Sequence, residues 1–142
     1  MSLKRRGEVD INWNGEVKTL KFKMRTIAKF EEMTGRSVSS IITEGMKQGV
    51  KQSDIAKLLF CFLDEYKSIN DLYDDFDDNI DNLDEYEKAV IVGYISYNRG
   101  TEKAKQFGKV MERMQGMQED LNEKSEEKVK KMIEKMEGDE KN

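Results

Sequence analysis

The chain has 142 residues, enough for one modest core and a trailing segment, and charged side chains (38%) match hydrophobic ones (37%) in number. Its net charge of −4 provides no bulk attraction to nucleic acid, and no apolar run approaches the roughly 20 residues of a bilayer span, so no membrane partner is expected. Histidine is absent and cysteine occurs once, which removes the commonest general base, the commonest zinc ligand and any intrachain disulfide; neither a catalytic residue nor a metal or cofactor is expected.

Met1-Ser2-Leu3 carries no weight in this reading. Residues 8–24 predict a β-hairpin. Val9, Ile11 and Trp13 alternate with polar residues, Asn14-Gly15 supplies a type I′ corner, and Val17, Leu20, Phe22 and Met24 return. Val17 and Leu20 are out of phase, so the return strand either carries a bulge near Lys18-Thr19 or begins its alternation at Leu20. Lys18, Lys21, Lys23 and Arg25 are placed on the outward face. A two-stranded ribbon is marginal alone and must pack on the helices after it or pair with another chain.

Thr26 is the expected N-cap of a short helix with Ile27, Phe30 and Met33 inward, closed by Gly35. Ser37 starts a second helix, with Val38, Ile41, Ile42 and Met46 inward and Gly49 as its stop. A third opens at Ser53 or Asp54 and runs to about Tyr66. Its run Leu58-Leu59-Phe60-Cys61-Phe62-Leu63 marks it as the centre of the core, with Cys61 as a buried hydrophobe. Ser68 caps a short helix carrying Leu72, Tyr73 and Phe76, and from Asp84 a longer helix reads to Asn98, stopped by Gly100. Tyr86, Ala89, Val90, Gly93, Tyr94 and Tyr97 share one face of it, wider than one helix contact needs.

Beyond Gly100 the sequence turns Lys/Glu-rich. Phe107, Val110, Met114, Met117 and Leu121 fall at 3-4-3-4 spacing, a heptad-like stripe weakened by Gly108 and Gly116. The phase then breaks, Val129, Met132, Ile133 and Met136 form a second weak stripe, and residues 122–142 are expected to be a frayed helix or disordered without a partner. The fold class expected is α+β, mainly α: an N-terminal hairpin packed on a small helical domain (1–100), then a charged, Met-rich helical or partly disordered tail (101–142).

Three groups invite chemistry. Asp71, Asp74, Asp75, Asp77, Asp78, Asp81 and Asp84 form an acidic cluster, but a calcium loop starting at Asp75 would have Ile80 where Gly is required and Tyr86 where Glu is. It reads as a solvated connector. The basic hairpin with Lys4-Arg5-Arg6 reads as a charged strand edge, leaving a nucleic-acid-binding regulator as the alternative function. The surface expected to take a partner comprises Tyr94, Tyr97, Phe107, Val110, Met111, Met114, Met117 and Leu121, because methionine suits surfaces that adapt to more than one shape.

The order of Asn-Gly hairpin, Leu20-Lys-Phe-Lys-Met-Arg-Thr26 and Phe30-Glu-Glu-Met-Thr-Gly-Arg-Ser-Val38 resembles the tail assembly chaperones of long-tailed bacteriophages and prophages. In that family a strand ending in an aromatic leads to a helix of the form Leu-Glu-Glu-x-Thr-Gly-Lys-Ser and then a helical domain. Here Phe30 replaces the leucine and Arg36 the lysine, and the likeness covers roughly residues 8–100. It implies a non-catalytic protein that binds the tape measure protein, keeps its long helices soluble and helps recruit tail tube protein. It also implies residence in the bacterial host cytoplasm, absence from the mature virion, and self-association into a homo-oligomer as one mode of assembly.

Overall fold

A computed structural model describes the backbone of residues 2–3 and 5–140; the side chains of Ser2, Gln115 and residues 118–125 and 136–140 lie outside the described residues. The hairpin forms as its alternation dictates. Strand β2 (Glu8–Trp13) pairs antiparallel with β3 (Glu16–Lys21), from Trp13 opposite Glu16 to Glu8 opposite Lys21. Asn14 and Gly15, at φ 53° and 76°, make the left-handed corner. The register is unbroken, so the strand has no bulge: Val17 faces solvent, and apolar alternation starts at Leu20.

Two expectations are corrected here. Lys18 shares the pleat face of Ile11 and Leu20 instead of the outward face, half-buried with its amine 3.2 Å from Glu65 and 3.4 Å from Glu16. The N-terminal residues also take part: β1 (Ser2–Leu3) pairs antiparallel with β2, giving the sheet order β1-β2-β3.

Helices follow at α1 (Met24–Thr34), α2 (Val38–Gln48), α3 (Gln52–Leu63) and α4 (Ile69–Asp78), then a single 3₁₀ turn at Ile80–Asn82, α5 (Leu83–Arg99) and α6 (Thr101–Glu140). Local chemistry sets several ends. Ser37 accepts from the Ser40 amide, Ser68 accepts from the Asn70 amide, and Gly35 closes α1 at φ 68°. Thr26, however, is not the N-cap of α1. Lys23 occupies that place, and buried Thr26 sits at the third helical position, its hydroxyl accepting from the Lys23 amide (3.1 Å) and donating to the Lys21 carbonyl (2.6 Å). Met24, Met33 and Met46, expected inward, are exposed. α3 stops at Leu63, with Asp64 in the left-handed conformation, so Tyr66 lies beyond it.

Nine of the twelve residues of α3 are buried, and it touches α1, β3, α4 and α5, so it is the centre of the core. Phe22 stacks on Phe62 with ring centroids 4.0 Å apart, joining the hairpin to α3. Gly93 of α5 lies close against the Phe22 ring: a Cβ there would stand 2.3 Å from Phe22 Cε2. Trp13 donates from Nε1 to the Tyr66 hydroxyl (2.7 Å), Tyr66 donates to Asp75, and Tyr86 donates to the Asn12 carbonyl (2.7 Å). The hairpin corner is held by Asn79, whose Oδ1 accepts from the Asn14 amide and whose Nδ2 donates to Asn14 Oδ1.

The molecule is thus α+β and mainly α, with the N-terminal sheet packed on helices and a charged helical segment at the C-terminal side. It divides into two compact units, Met1–Phe107 and Gly108–Asn142. Where the apolar phase shifts after Leu121, α6 continues as helix to Glu140. Among the described residues no helix is long and apolar enough to cross a membrane.

Candidate partner-binding surface

The residues expected to take a partner fall in both units. In the first, Tyr94, Tyr97 and Phe107 are each half-buried. α5 presents Tyr86, Ala89, Val90 and Gly93 to the core, and Tyr86 is fully buried beside Trp13, ring centroids 5.5 Å apart. The broad tyrosine face is therefore largely packing. The backbone around Tyr97 is engaged too: Arg6 donates from Nε to the Tyr97 carbonyl (2.8 Å) and from Nη2 to that of Asn98 (3.2 Å), and the Gly7 amide donates to Ser96 Oγ (2.9 Å). These are the last carbonyls of α5, which lack intrahelical partners, so a cation supplied from the β1–β2 connection both satisfies them and opposes the helix dipole.

In the second unit the stripe is open. Val110, Met114 and Met117 are 48%, 64% and 65% exposed, and Met111 is half-buried. Leu121 belongs to α6 but its side chain lies outside the described residues, as does that of Met136. Val129, Met132 and Ile133 are also exposed. Covering one such side chain is worth about 1.5–3 kcal/mol, so a row of them on a helix is a driving force for association.

The other candidates give less. The seven aspartates are exposed or half-buried, Asp75 accepts from Tyr66, and among the described residues no group of three or more His, Cys, Asp or Glu is arranged to hold a metal. Cys61 is buried, and desolvation pushes its thiol up to about 11 from an ordinary 9.0, away from nucleophile behaviour. Several cations of the basic hairpin are already committed. Lys18 pairs with Glu65 and Glu16, and Arg25 and Lys29 both reach Asp64, whose carboxyl is held below its usual range chiefly by the Lys29 hydrogen bond. The cleft between β3 and the end of α3, lined by Lys18, Lys21, Lys23 and Arg25, also contains Asp64 and Glu65. The two carboxylates offset half of its positive charge.

The Trp13–Tyr66–Asp75 chain and the Arg6 clamp are absent from the expectations drawn from sequence. Both join residues more than fifty positions apart, and no local spacing signals them; only Trp13, whose N–H must find an acceptor when buried, hints at the first. No family model, curated protein or solved structure matches this chain.

Proposed function

We propose that this chain is a tail assembly chaperone of a long-tailed bacteriophage or prophage, a non-catalytic protein that binds the tape measure protein and helps recruit tail tube subunits. The observation that carries the reading is the exposed apolar row of α6, Val110-Met114-Met117. A tape measure protein is a set of long helices whose apolar faces need cover until the tail assembles. An unbranched, polarizable Met-rich helix face accepts such partners without demanding one shape. The resemblance of residues 20–38 supports the same reading, and in it those residues are scaffold: Phe22 and Phe30 are core, Gly35 is a helix stop, and no reactive group is among them. The working surface then lies in α6. The protein would act in the host cytoplasm and be absent from the finished virion.

Co-expression with the tape measure protein encoded beside it tests this. The partner's soluble fraction should rise and the two should co-purify, while Met114→Lys with Met117→Lys should abolish both effects. Unchanged solubility together with no complex refutes the proposal. The nucleic-acid-binding reading is the weaker one, because Arg6, Lys18 and Arg25 of the basic N-terminal region are engaged by protein partners.

A further inference from the structure

Strand β3 is an outer strand of the sheet, and half of its backbone has no strand beside it. Antiparallel pairing engages alternate residues: at the two-residue corner Trp13 and Glu16 exchange hydrogen bonds, then Ile11 and Lys18, then Val9 and Leu20. The Phe22 amide donating to the Gly7 carbonyl (2.7 Å) continues the same phase. Val17, Thr19 and Lys21 therefore direct their N–H and C=O groups away from β2. The Thr26 hydroxyl, which donates to the Lys21 carbonyl at 2.6 Å, lies on that outer side and closes one end of the edge. Between it and the corner, Val17 and Thr19 hold out two donors and two acceptors, and among the described residues no strand pairs with them.

Sheet edges are commonly blunted by a bulge or a proline, and β3 has neither: its register runs unbroken from Glu16 to Lys21, and the chain contains no proline. Its guard is charge, and that charge is sorted. Lys18 holds Glu65 and Glu16, while Arg25 and Lys29 hold Asp64, so the carboxylates beside the edge are neutralised within the molecule. Lys21 and Lys23 are exposed and enter no ion pair among the described residues. With four cations and two carboxylates on its walls, the cleft carries a net charge of +2 beside the open ladder. A second copy of this edge would bring the same lysines and be repelled, whereas a strand of opposite sign is attracted.

We propose that the β3 edge docks an extended acidic segment of a partner protein, which adds a strand beside Val17 and Thr19 and sets its carboxylates against Lys21 and Lys23. Main-chain bonds to the edge accept any extended segment, and the lysines select which one stays. Val17, Thr19 and Lys21 share one face of the pleat, so glutamate or aspartate at every second position of the incoming strand forms a row on the Lys21 side. Its other side chains turn towards the Lys18 side of the cleft. Nucleic acid is the poorer occupant, because a phosphodiester chain brings acceptors alone to a ladder whose carbonyls need donors. This surface is separate from the α6 row, and the proposal stands whether or not the chain is a tail chaperone.

The probe is a fluorescein-labelled peptide of alternating glutamate and valine, titrated against the full chain at low salt and followed by anisotropy. It should bind, and Lys21→Glu combined with Lys23→Glu should weaken it roughly 10-fold. Val17→Pro deletes one outward N–H while sparing the hairpin's own ladder, and should weaken binding by a similar factor, as should N-methylation of every peptide amide. Trp13 fluorescence in denaturant checks that both variants stay folded. Hydrogen exchange supplies the local readout: with peptide in saturating excess, the Val17 and Thr19 amides should exchange roughly 10-fold more slowly than in the free chain. No binding at low salt overturns the proposal. Binding that the N-methylated peptide matches, or that leaves exchange at Val17 and Thr19 unchanged, refutes it as well, because charge alone then accounts for the complex. An oligodeoxythymidine that binds more tightly than the peptide assigns the edge to nucleic acid and refutes it too.

Discussion

Replacing Gly93 by alanine sets two effects of known size against each other. In a helix interior the change is favourable by about 1 kcal/mol, because glycine loses more backbone freedom on folding. At this position the new Cβ would lie 2.3 Å from Phe22 Cε2, 2.7 Å from Cδ2 and 3.0 Å from Cζ. The first of these is about 1.2 Å short of an ordinary carbon contact of about 3.5 Å. The ring has no room to withdraw, since Phe22 stacks on Phe62 at 4.0 Å and both are buried. Overpacking of this kind costs about 1–3 kcal/mol and more where nothing can give, so we expect a net loss of about 1–2 kcal/mol and a melting temperature lower by about 5–10 °C. Trp13, the sole tryptophan, is buried in the same unit and reports its unfolding in denaturant. Gly116→Ala is the control: nothing lies within 4 Å of its would-be Cβ, and the same substitution should there raise the helix signal of α6. A Gly93→Ala protein with a Trp13 midpoint at or above the parent's would refute the reasoning. In the double variant with Phe22→Leu, the two losses should sum to about 1 kcal/mol more than the measured one.

Tyr66→Phe removes the acceptor of the buried Trp13 N–H and should cost about 1–3 kcal/mol by denaturant titration, whereas Tyr73→Phe, at a half-buried phenol with no such duty, should cost little. Burial, then the Asp75 hydrogen bond, pushes the Tyr66 phenol up to about 12 from 10.0, and burial pushes Cys61 to about 11. Each folded-state value lies above its unfolded one, so the folded protein holds these protons more tightly: stability is full below about pH 9 and falls as the pH rises towards 11–12. Circular dichroism melts across that range should show the decline, and Cys61→Ala should flatten its lower part. Arg36→Ala strips the partner from Asp54, a carboxylate 4% exposed that accepts from Arg36 Nη1 at 2.9 Å; we expect a loss of about 1.5–3 kcal/mol, largely spared in Arg36→Ala with Asp54→Asn.

Legible in the sequence is whatever neighbouring residues decide between themselves. Asn14-Gly15, Gly35, Ser37, Ser68 and Gly100 mark ends because a cap or a left-handed backbone is satisfied within a few positions. The apolar run of α3 is long enough to be buried on nearly every side. Met24, Met33 and Met46 are exposed against expectation because helical spacing shows which residues share a face, not how wide a face the neighbouring elements cover. Thr26 lies inside the helix it is expected to cap because a threonine hydroxyl serves equally at the cap or three positions inside it. In the candidate surface, spacing singles out Val110, Met114 and Met117 correctly as a row on one helix. It does not show that Tyr94 and Tyr97 stand half-buried beside a clamp from residues 6 and 7, which only the tertiary fold creates.

That clamp has a consequence for synthesis. Arg6 and Gly7 leave the ribosome early, yet their partners at Ser96, Tyr97 and Asn98 are made some ninety residues later. Until then the sheet lacks α5, and Val9, Ile11 and Trp13 present an apolar strand face without its cover. A nascent chain halted after α4 would carry that face and its strand edge unprotected, open to pairing with other chains. The first unit should therefore complete its fold in one late step, when the final turn of α5 closes on residues 6 and 7, and truncations short of Asn98 should aggregate instead of accumulating as smaller folded domains.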